Sequence, residues 1–252
     1  MEELLAWCGQ PLREHLRNAA LLAKGDPEAL RRVAKKAREM GVELNERLLR
    51  REVETAVKKL AELTGDGNVA QAVPLAAYLH DVGKAVSTFQ LRLRSAGPRC
   101  NASLRGHEFW SAWIAYHTAE RLCGEKTAAL ISAAVALHHA PRCSIDDVVL
   151  DALKIPTTEG DIEAMSSLAE EGAQLLGLDR DRVVAGLAVA RWYWLRYFTA
   201  PHAQWLWRLR NTISRHRLQT AVELLRYIVV LVDNMDNALT RRDKAALLPF
   251  LK

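Results

Sequence analysis

The spacing of apolar residues along the chain is helical over most of its length. Leu12, Leu16, Ala19 and Leu22 recur at intervals of three or four, which places them on one face of an α-helix. The same period, broken by Gly or Pro, predicts helices over residues 12–24, 29–40, 45–63, 70–81, 106–122, 125–140, 162–176, 182–198 and 218–240. Because every strong period is helical, we predict an all-α fold built as a helical bundle.

Two segments carry no clear helical period. Residues 87–105 contain Gly97-Pro98 and several arginines, and we interpret them as a loop that is either a substrate lid or a connector without fixed structure. Residues 143–156 are expected to hold a short irregular or extended piece.

The size and charge of the chain fit a protein with a large core and a polyanionic partner. Half of the 252 residues are hydrophobic, enough for one large domain or two small ones. The net charge is +5 and the isoelectric point about 9.1, values that suit nucleic acid without requiring it.

The cysteines and the N-terminus indicate the compartment. Cys8, Cys100, Cys123 and Cys143 have no Cys-x-x-Cys spacing, so we interpret them as reduced and mostly buried rather than as zinc ligands. The N-terminus lacks the basic and apolar regions of a signal peptide, and the longest apolar stretch, residues 128–137, is too short to span a membrane. We therefore expect a cytoplasmic protein with no membrane partner.

Two stretches are rich in basic residues. Within residues 26–64, the helix 29–40 has a basic face, which we interpret as a solvated surface in preference to a DNA contact. Residues 191–217 hold six arginines, seven aromatic residues and no acid. Arginines that follow phosphates and rings that stack on bases would suit a single strand. The alternative, which the sequence leaves open, is that the rings form the core of a helical hairpin.

The main candidate for chemistry is the dipeptide His80-Asp81, which lies at the end of an apolar helix and precedes Gly83 and Lys84. A carboxylate can bridge two metal ions, and a neighbouring imidazole can bind one of them. Gly83 is expected to let the chain turn without strain. Further candidate ligands lie on the apolar faces or at the ends of other predicted helices: His15, His107, His138, His139 and Asp233.

Asp233 has a rival one turn along its helix. It directly follows the apolar run 227–232, where a buried carboxylate without a partner would be costly. Asp236 lies three residues later. The position immediately after the apolar run favours Asp233 as the ligand.

Along the chain, the candidate ligands come in the order His, His-Asp, His, His-His and Asp. This order resembles that of the metal ligands in the HD superfamily of metal-dependent phosphohydrolases. Three details narrow the resemblance: Phe89-Gln90, Ser111-Ala112 after His107-Glu108, and the His-His pair. With them the chain is similar, from about residue 15 to residue 237, to the HD nuclease of type I CRISPR interference in its stand-alone form. One departure is Gly106, where that family usually has Arg. Arg105 lies one residue earlier, which leaves a phosphate contact there open.

The resemblance implies an HD-domain bundle in which residues 1–252 form a single domain, with 26–64 and 191–217 as elaborations. It also implies two metal sites that share Asp81, one completed by His15, His80 and Asp233 and the other by His107, His138 and His139. Two ions there would activate water and stabilise the departing oxygen. Histidine-rich ligation favours Mn, Fe, Co or Ni, with Mg as the alternative. Lys84 would be a cation near the scissile phosphate, or else only a charge at a helix C-terminus.

The implied activity is hydrolysis of phosphodiester bonds in DNA, preferentially single-stranded, in antiviral CRISPR interference. The residues expected to contact nucleic acid are Arg105, Arg191, Trp205, Arg208 and Arg210. The chain has no Gly-x-x-x-x-Gly-Lys-Ser/Thr element, so the family implies a separate helicase subunit, together with a guide-RNA surveillance complex. The alternatives are an HD phosphohydrolase of small nucleotides and a non-catalytic nucleic-acid-binding subunit.

Overall fold

The structure is a computed structural model that describes residues 3–7, 9–66, 69–96, 102–139, 144–196 and 201–241. Within these ranges the chain forms twelve α-helices and one 3₁₀ helix, Val82–Ala85. The α-helices are α1 Leu12–Ala23, α2 Pro27–Glu39, α3 Glu46–Thr64, α4 Val69–Leu79, α5 Ser87–Ser95, α6 His107–Cys123, α7 Glu125–Ala136, α8 Ile145–Ala152, α9 Glu159–Leu176, α10 Arg180–Arg196, α11 Pro201–Arg215 and α12 Gln219–Arg241.

The all-α prediction is confirmed. The sheet content of the described ranges is one short antiparallel pair, β1 Leu5–Trp7 with β2 Gln10–Pro11. The sequence analysis did not predict this pair, which is too short to show a period of two. Each of the nine predicted helices occurs, with ends displaced by a few residues.

The centre of the fold consists of α4, α6 and α7. Most residues of these three helices are buried, as expected for helices that are apolar on most sides. The helices α1, α9, α10 and α12 pack around them, and a single hydrophobic cluster extends from Ala6 to Met235. The core therefore holds the ends of α4, α6 and α7 in fixed positions relative to α1 and α12.

Two segments predicted to lack helix are helical. Residues 87–95 form α5, in which Phe89, Gln90 and Leu93 are buried. Residues 145–152 form α8, which begins with a capping box: Ser144 Oγ accepts from the Asp147 amide, and the Asp147 carboxylate accepts from the Ser144 amide. Both helices have fewer than ten residues, which is too few for a helical period to stand out. Residues 97–101 of the predicted loop lie outside the described residues.

Two smaller expectations concern thiols and membranes. Cys123 is a half-buried free thiol, and the other three cysteines lie outside the described residues. In the ranges that the structure describes, no helix has both the length and the apolar character needed to cross a bilayer.

Candidate metal centre

Five of the seven candidate ligands lie at helix ends. Helix α4 ends at Leu79, so His80 and Asp81 follow it, and α7 ends at Ala136, before His138 and His139. The prediction that these four residues lie within helices was wrong by one to three positions. His107 is the first residue of α6. The two remaining candidates, His15 and Asp233, lie within α1 and α12.

The seven candidate ligands converge in two groups of four that share Asp81. In each group one ligand atom per residue lies within 4.8 Å of the others. One group consists of His15, His80, Asp81 and Asp233, and the other of Asp81, His107, His138 and His139. All are buried except His139, which is exposed. These are the two sets that the resemblance implies, and their role as ligands stays a prediction.

The two carboxylate oxygens of Asp81 face different groups. Oδ2 lies 3.1 Å from Nε2 of His15 and 3.5 Å from Nε2 of His80. Oδ1 lies 2.9 Å from Nε2 of His107 and 3.5 Å from Nε2 of His138. A carboxylate placed in this way can offer one oxygen to each of two cations.

Each of the four buried imidazoles is anchored through Nδ1. The Nδ1 atoms of His80, His107 and His138 lie 2.7, 2.7 and 2.6 Å from the backbone oxygens of Ala77, Leu104 and Val135. In His15 the partner of Nδ1 is Oδ2 of Asp236, at 2.7 Å. Because an oxygen acceptor faces each Nδ1, that nitrogen carries a proton, and Nε2 is the ring atom directed at the centre.

This donor set fits bound cations. Nε2 of His15 lies 3.2 Å from Nε2 of His80, so two lone pairs would repel each other unless a proton or a metal ion lies between them. Among the described residues, buried Nε2 of His138 has no hydrogen-bond partner. Buried polar atoms are normally paired, and a metal ion would supply the missing partner.

The ionisable side chains of the centre shift one another's pKa values. Burial raises the pKa of the Asp81 carboxyl, but nearby Lys84 and His80 outweigh it and hold that pKa well below its usual value. Nζ of Lys84 forms a hydrogen bond with Oδ2 of Asp81, so Lys84 is more than a charge at a helix end. Burial lowers the pKa of His15, but hydrogen bonds to Asp236 and Asp81 raise it to about 9. A proton on His15 therefore occupies, near neutral pH, the place of a cation in the metal-free protein.

A layer of amides supports the two aspartates of α12. Asp236 accepts hydrogen bonds from Nε2 of Gln10 at 2.6 Å and Nδ2 of Asn18 at 2.9 Å. Asn237 donates to Oδ1 of Asp233 at 2.6 Å. Asp236 therefore lies outside both ligand groups and orients His15 instead. The sequence analysis missed the three amides, although Asn237 lies one helical turn after Asp233.

Gly83 is required by close packing rather than by a turn. Its φ is not positive, and a Cβ at this position would lie 2.1 Å from the backbone oxygen of His107. The Gly83 amide donates to Oγ of Ser111 at 2.8 Å. The 3₁₀ helix thus rests directly on the first turn of α6, which fixes His107 relative to Asp81. The expectation that Gly83 relieves strain in a turn was wrong.

Gln90 connects the N-terminal strand to the segment that carries Asp81. Its Nε2 donates to the backbone oxygens of Leu5 at 2.9 Å and Lys84 at 2.6 Å, and its Oε1 accepts from the Leu5 amide at 2.8 Å. Phe89 packs edge-on against the His107 ring, with centroids 6.2 Å apart. The Phe89-Gln90 pair therefore supports the centre structurally.

A cavity of about 830 Å³ opens beside the second ligand group. Its lining includes His107 and His139 and three basic side chains, those of Lys84, Arg105 and Lys154. It also includes the acidic side chains of Glu108, Asp147 and Asp151. Glu108, in the first turn of α6, accepts from the Gly106 amide at 2.8 Å, and the same carboxylate oxygen lies 3.3 Å from Nδ1 of His107.

Of the five residues expected to contact nucleic acid, the described part of the chain brings one, Arg105, to this cavity. Arg191 pairs with Glu159 and Glu163, Arg208 lies 3.6 Å from Glu120, and Arg210 pairs with Asp146.

Trp205 fits the alternative of a packed core. It is 3% exposed, its Nε1 donates to Oγ of Ser132 at 3.2 Å, and its ring packs edge-on against Phe109. A base cannot stack on a ring enclosed in this way, so the interpretation of Trp205 as a base-stacking residue was wrong. The neighbouring aromatic residues 197 and 198 lie outside the described residues.

Comparison with known protein families matches residues 40–214, more than half of the chain, to the family described as "Cas3, HD domain". The chain belongs to the Cas3 HD domain family. The finding supports a CRISPR-associated HD domain protein with a bundle fold, as the resemblance predicted.

Two solved structures are also similar to this Cas3 HD domain chain. One is the CRISPR-associated Cas3 HD domain protein from Methanocaldococcus jannaschii, with 20% identity, a TM-score of 0.46, and coverage of 94% of this chain and 100% of that one. The other is described as a CRISPR-associated protein, with 21% identity, a TM-score of 0.45, and coverage of 85% of this chain and 26% of that one. Comparison with curated proteins finds no match.

The one departure of this Cas3 HD domain from the expected pattern has a local cause. Gly106 precedes α6 with a φ of +99°, and a Cβ there would lie 3.2 Å from the backbone of Ala152. A larger residue at position 106 would strain the backbone and push α8 away. Arg105, one residue earlier, lines the cavity.

Proposed function

We propose that this protein is a metal-dependent nuclease that hydrolyses phosphodiester bonds of DNA, preferentially single-stranded, in CRISPR interference. The observation that carries the proposal is the division of Asp81 between two ligand groups, next to a cavity with basic side chains. Two divalent ions bound by these groups would activate water and stabilise the departing oxygen of a phosphodiester.

The side chains of the chain itself would position the substrate. Lys84, Arg105 and Lys154 line the cavity together with the carboxylates of Glu108, Asp147 and Asp151, so three cationic side chains are available to contact a phosphodiester that enters it. Lys84 also contacts Asp81, which would keep its ammonium group close to the scissile phosphate. The anchored Nδ1 atoms keep all four buried Nε2 atoms directed at the centre without rearrangement.

The donor set indicates the class of metal. With five histidines and two carboxylates, it favours Mn, Fe, Co or Ni over Mg, which prefers oxygen ligands. We propose two ions per chain, one in each group that shares Asp81. The two groups would then act on one phosphodiester as a single centre.

The proposed partners follow from the family. A separate helicase subunit would supply single-stranded DNA, and a guide-RNA surveillance complex would select the target.

We propose that residues 1–252 act as one domain. Among the described residues, one hydrophobic cluster extends from Ala6 to Met235.

The test is metal analysis of protein purified without chelator, combined with hydrolysis assays. The substrates are a single-stranded and a double-stranded oligonucleotide of the same sequence, nucleoside triphosphates, and cyclic nucleotides. We expect metal-dependent cleavage of the single strand to be the fastest reaction. Faster hydrolysis of the small nucleotides would favour a small-nucleotide phosphohydrolase. Inactivity with Mn, Fe, Co, Ni and Mg, together with retained DNA binding, would favour a non-catalytic subunit.

A further inference from the structure

The cavity beside the metal centre has one wall that the proposed mechanism does not use. Trp7, the last residue of β1, lines this cavity together with Lys84 and Asn237. Among the described residues of the lining, Trp7 is the one aromatic side chain that is not an imidazole. It is half-buried, because it packs against the hydrophobic core and also borders the cavity. The cavity therefore offers an indole ring beside the cationic groups that would contact a phosphodiester.

Hydrogen bonds connect the strand of Trp7 to the segment that carries Asp81. Oε1 of Gln90 accepts from the Leu5 amide at 2.8 Å, and Nε2 of Gln90 donates to the backbone oxygens of Leu5 and Lys84. Leu5 lies two residues before Trp7 on the same strand. Strand β1 is therefore held beside the 3₁₀ helix that follows Asp81.

A second connection joins the hairpin of β1 and β2 to α12. Gln10 of β2 is paired with Trp7, and its Nε2 donates to Oδ2 of Asp236 at 2.6 Å. The same oxygen of Asp236 lies 2.7 Å from Nδ1 of His15. The register of the two strands also shifts just before Trp7, an irregularity that bends a strand and re-aims its side chains. These contacts fix the indole ring relative to both candidate ligand groups, although the first residues of a domain are often poorly ordered.

We propose that Trp7 stacks on one unpaired base of the DNA strand whose phosphodiester lies at the metal centre, while Lys84 and Arg105 contact the backbone in the same cavity. This inference rests on the proposed nuclease function and adds a base contact to it. An indole ring stacks on any base, so the contact would hold strands of any sequence. The bases of a duplex are already paired and stacked, so the contact gives a physical reason for a preference for single strands.

The direct test uses the unaltered protein and single-stranded oligonucleotides that each carry one abasic position. Cleavage products are mapped at nucleotide resolution with the metal that gives the fastest reaction. We expect cleavage to fall about tenfold at one bond, a fixed number of nucleotides from the abasic position, because one stacked base is missing. This protected bond should move along the strand in step with the abasic position.

Two substitutions assign the protection to Trp7. Trp7→Leu removes the ring, so an intact strand should be cleaved about tenfold less efficiently, mainly through a higher KM, and the abasic position should no longer protect a bond. Trp7→Phe keeps a smaller ring, so it should restore most of the efficiency and show shallower protection. The metal content of both variants should equal that of the unaltered protein, since Trp7 belongs to neither ligand group.

The matched control is Trp207→Leu. Trp207 is a tryptophan of α11 that is 66% exposed and lies outside the lining of this cavity, so its loss should change neither the efficiency nor the protection. The melting temperature of each variant is measured first. The abasic series on the unaltered protein does not depend on the folding of any variant.

The outcomes separate this inference from the function on which it rests. Protection that follows the abasic position, is absent in Trp7→Leu and is shallower in Trp7→Phe supports the base contact. Uniform cleavage around every abasic position, protection of equal depth in the Trp7 variants, or loss of metal from both of them would overturn the base contact and leave the nuclease function intact. Absence of cleavage by the unaltered protein with every divalent metal would overturn the nuclease function, and the base contact with it.

Discussion

Nδ1 of His15 lies 2.7 Å from Oδ2 of Asp236, while Nε2 of the same ring lies 3.4 Å from Oδ1 of Asp233. The two aspartates of α12 therefore contact opposite sides of one imidazole. Asp233 is on the side of the candidate metal centre, and Asp236 is on the far side, where it fixes the ring and its tautomer. We therefore propose that Asp233 is the ligand and that Asp236 positions the His15 ring.

Asp233→Asn should remove most metal from the group that contains His15, because an amide is a far weaker ligand than a carboxylate. Asp236→Asn should lower metal affinity by roughly ten- to a hundredfold, the effect typical of losing an outer partner of a ligand. Chelator competition on both variants measures the difference. A larger loss in Asp236→Asn than in Asp233→Asn would exchange the two roles.

Metal affinity should rise with pH because His15 must release a proton to bind a cation. With its pKa raised to about 9, His15 is protonated at neutral pH in the metal-free protein. The apparent affinity should increase about tenfold per pH unit up to about pH 9. Titration calorimetry in buffers of different ionisation enthalpy should detect one proton released by His15 per metal ion bound at its group.

The stability of the metal-free protein should fall as the pH rises, whereas its metal affinity rises. The folded-state pKa of His15 lies above the ordinary value of 6.5, so its interactions stabilise the fold fully below pH 6.5 and are lost as the pH rises through about 9. The melting temperature without metal should therefore fall over this interval, and the fall should be smaller in His15→Gln. An identical pH dependence in both proteins would contradict a proton shared at His15.

Gly83→Ala should damage the centre through packing. The added Cβ would meet the backbone of His107 and Ser111 at 2.1 and 2.8 Å, so the 3₁₀ helix must move away from α6. We expect a loss of about 1–3 kcal/mol in the free energy of unfolding, together with lower metal content.

The matched control for Gly83→Ala is Gly160→Ala. Gly160 lies in α9, and the nearest atom to an added Cβ there is 3.8 Å away, so alanine should be neutral or slightly stabilising. If both variants keep full stability and metal content, the close approach of Gly83 to α6 does not hold the centre together.

Arg105 should contribute to substrate binding more than any arginine of residues 191–217. Arg105→Gln should reduce the slope of log affinity against log salt by about 0.7, the value for one phosphate of a single strand. Arg191→Gln should leave the slope unchanged, because Arg191 pairs with Glu159 and Glu163 and does not line the cavity. Fluorescence anisotropy with a labelled single strand measures both slopes. Equal slopes for Arg105→Gln and the unaltered protein would remove Arg105 from the strand path.

Much of the fold follows from the sequence because long amphipathic helices have a strong period. The short helices α5 and α8 have no such period. In α5, for example, the buried apolar residues are only Phe89 and Leu93. The candidate ligands could be identified because their order is informative even without coordinates. The supporting role of Gln10 and Asn18 could not be identified, because each is separated from its partner Asp236 by more than 200 residues of sequence. The burial of Trp205 was likewise a property of packing against Ser132 and Phe109 that no local pattern reveals.

Cleavage of a single strand by Asp81→Ala, measured beside metal content in the presence of excess Mn, tests the account most directly. Asp81 is the one residue common to both ligand groups, so its loss should disrupt both. We expect the unaltered protein to bind two ions and cleave, and the variant to bind fewer and to cleave more slowly by much more than the roughly hundredfold caused by losing an outer partner. Cleavage by Asp81→Ala at a rate near that of the unaltered protein would contradict a metal centre built around Asp81.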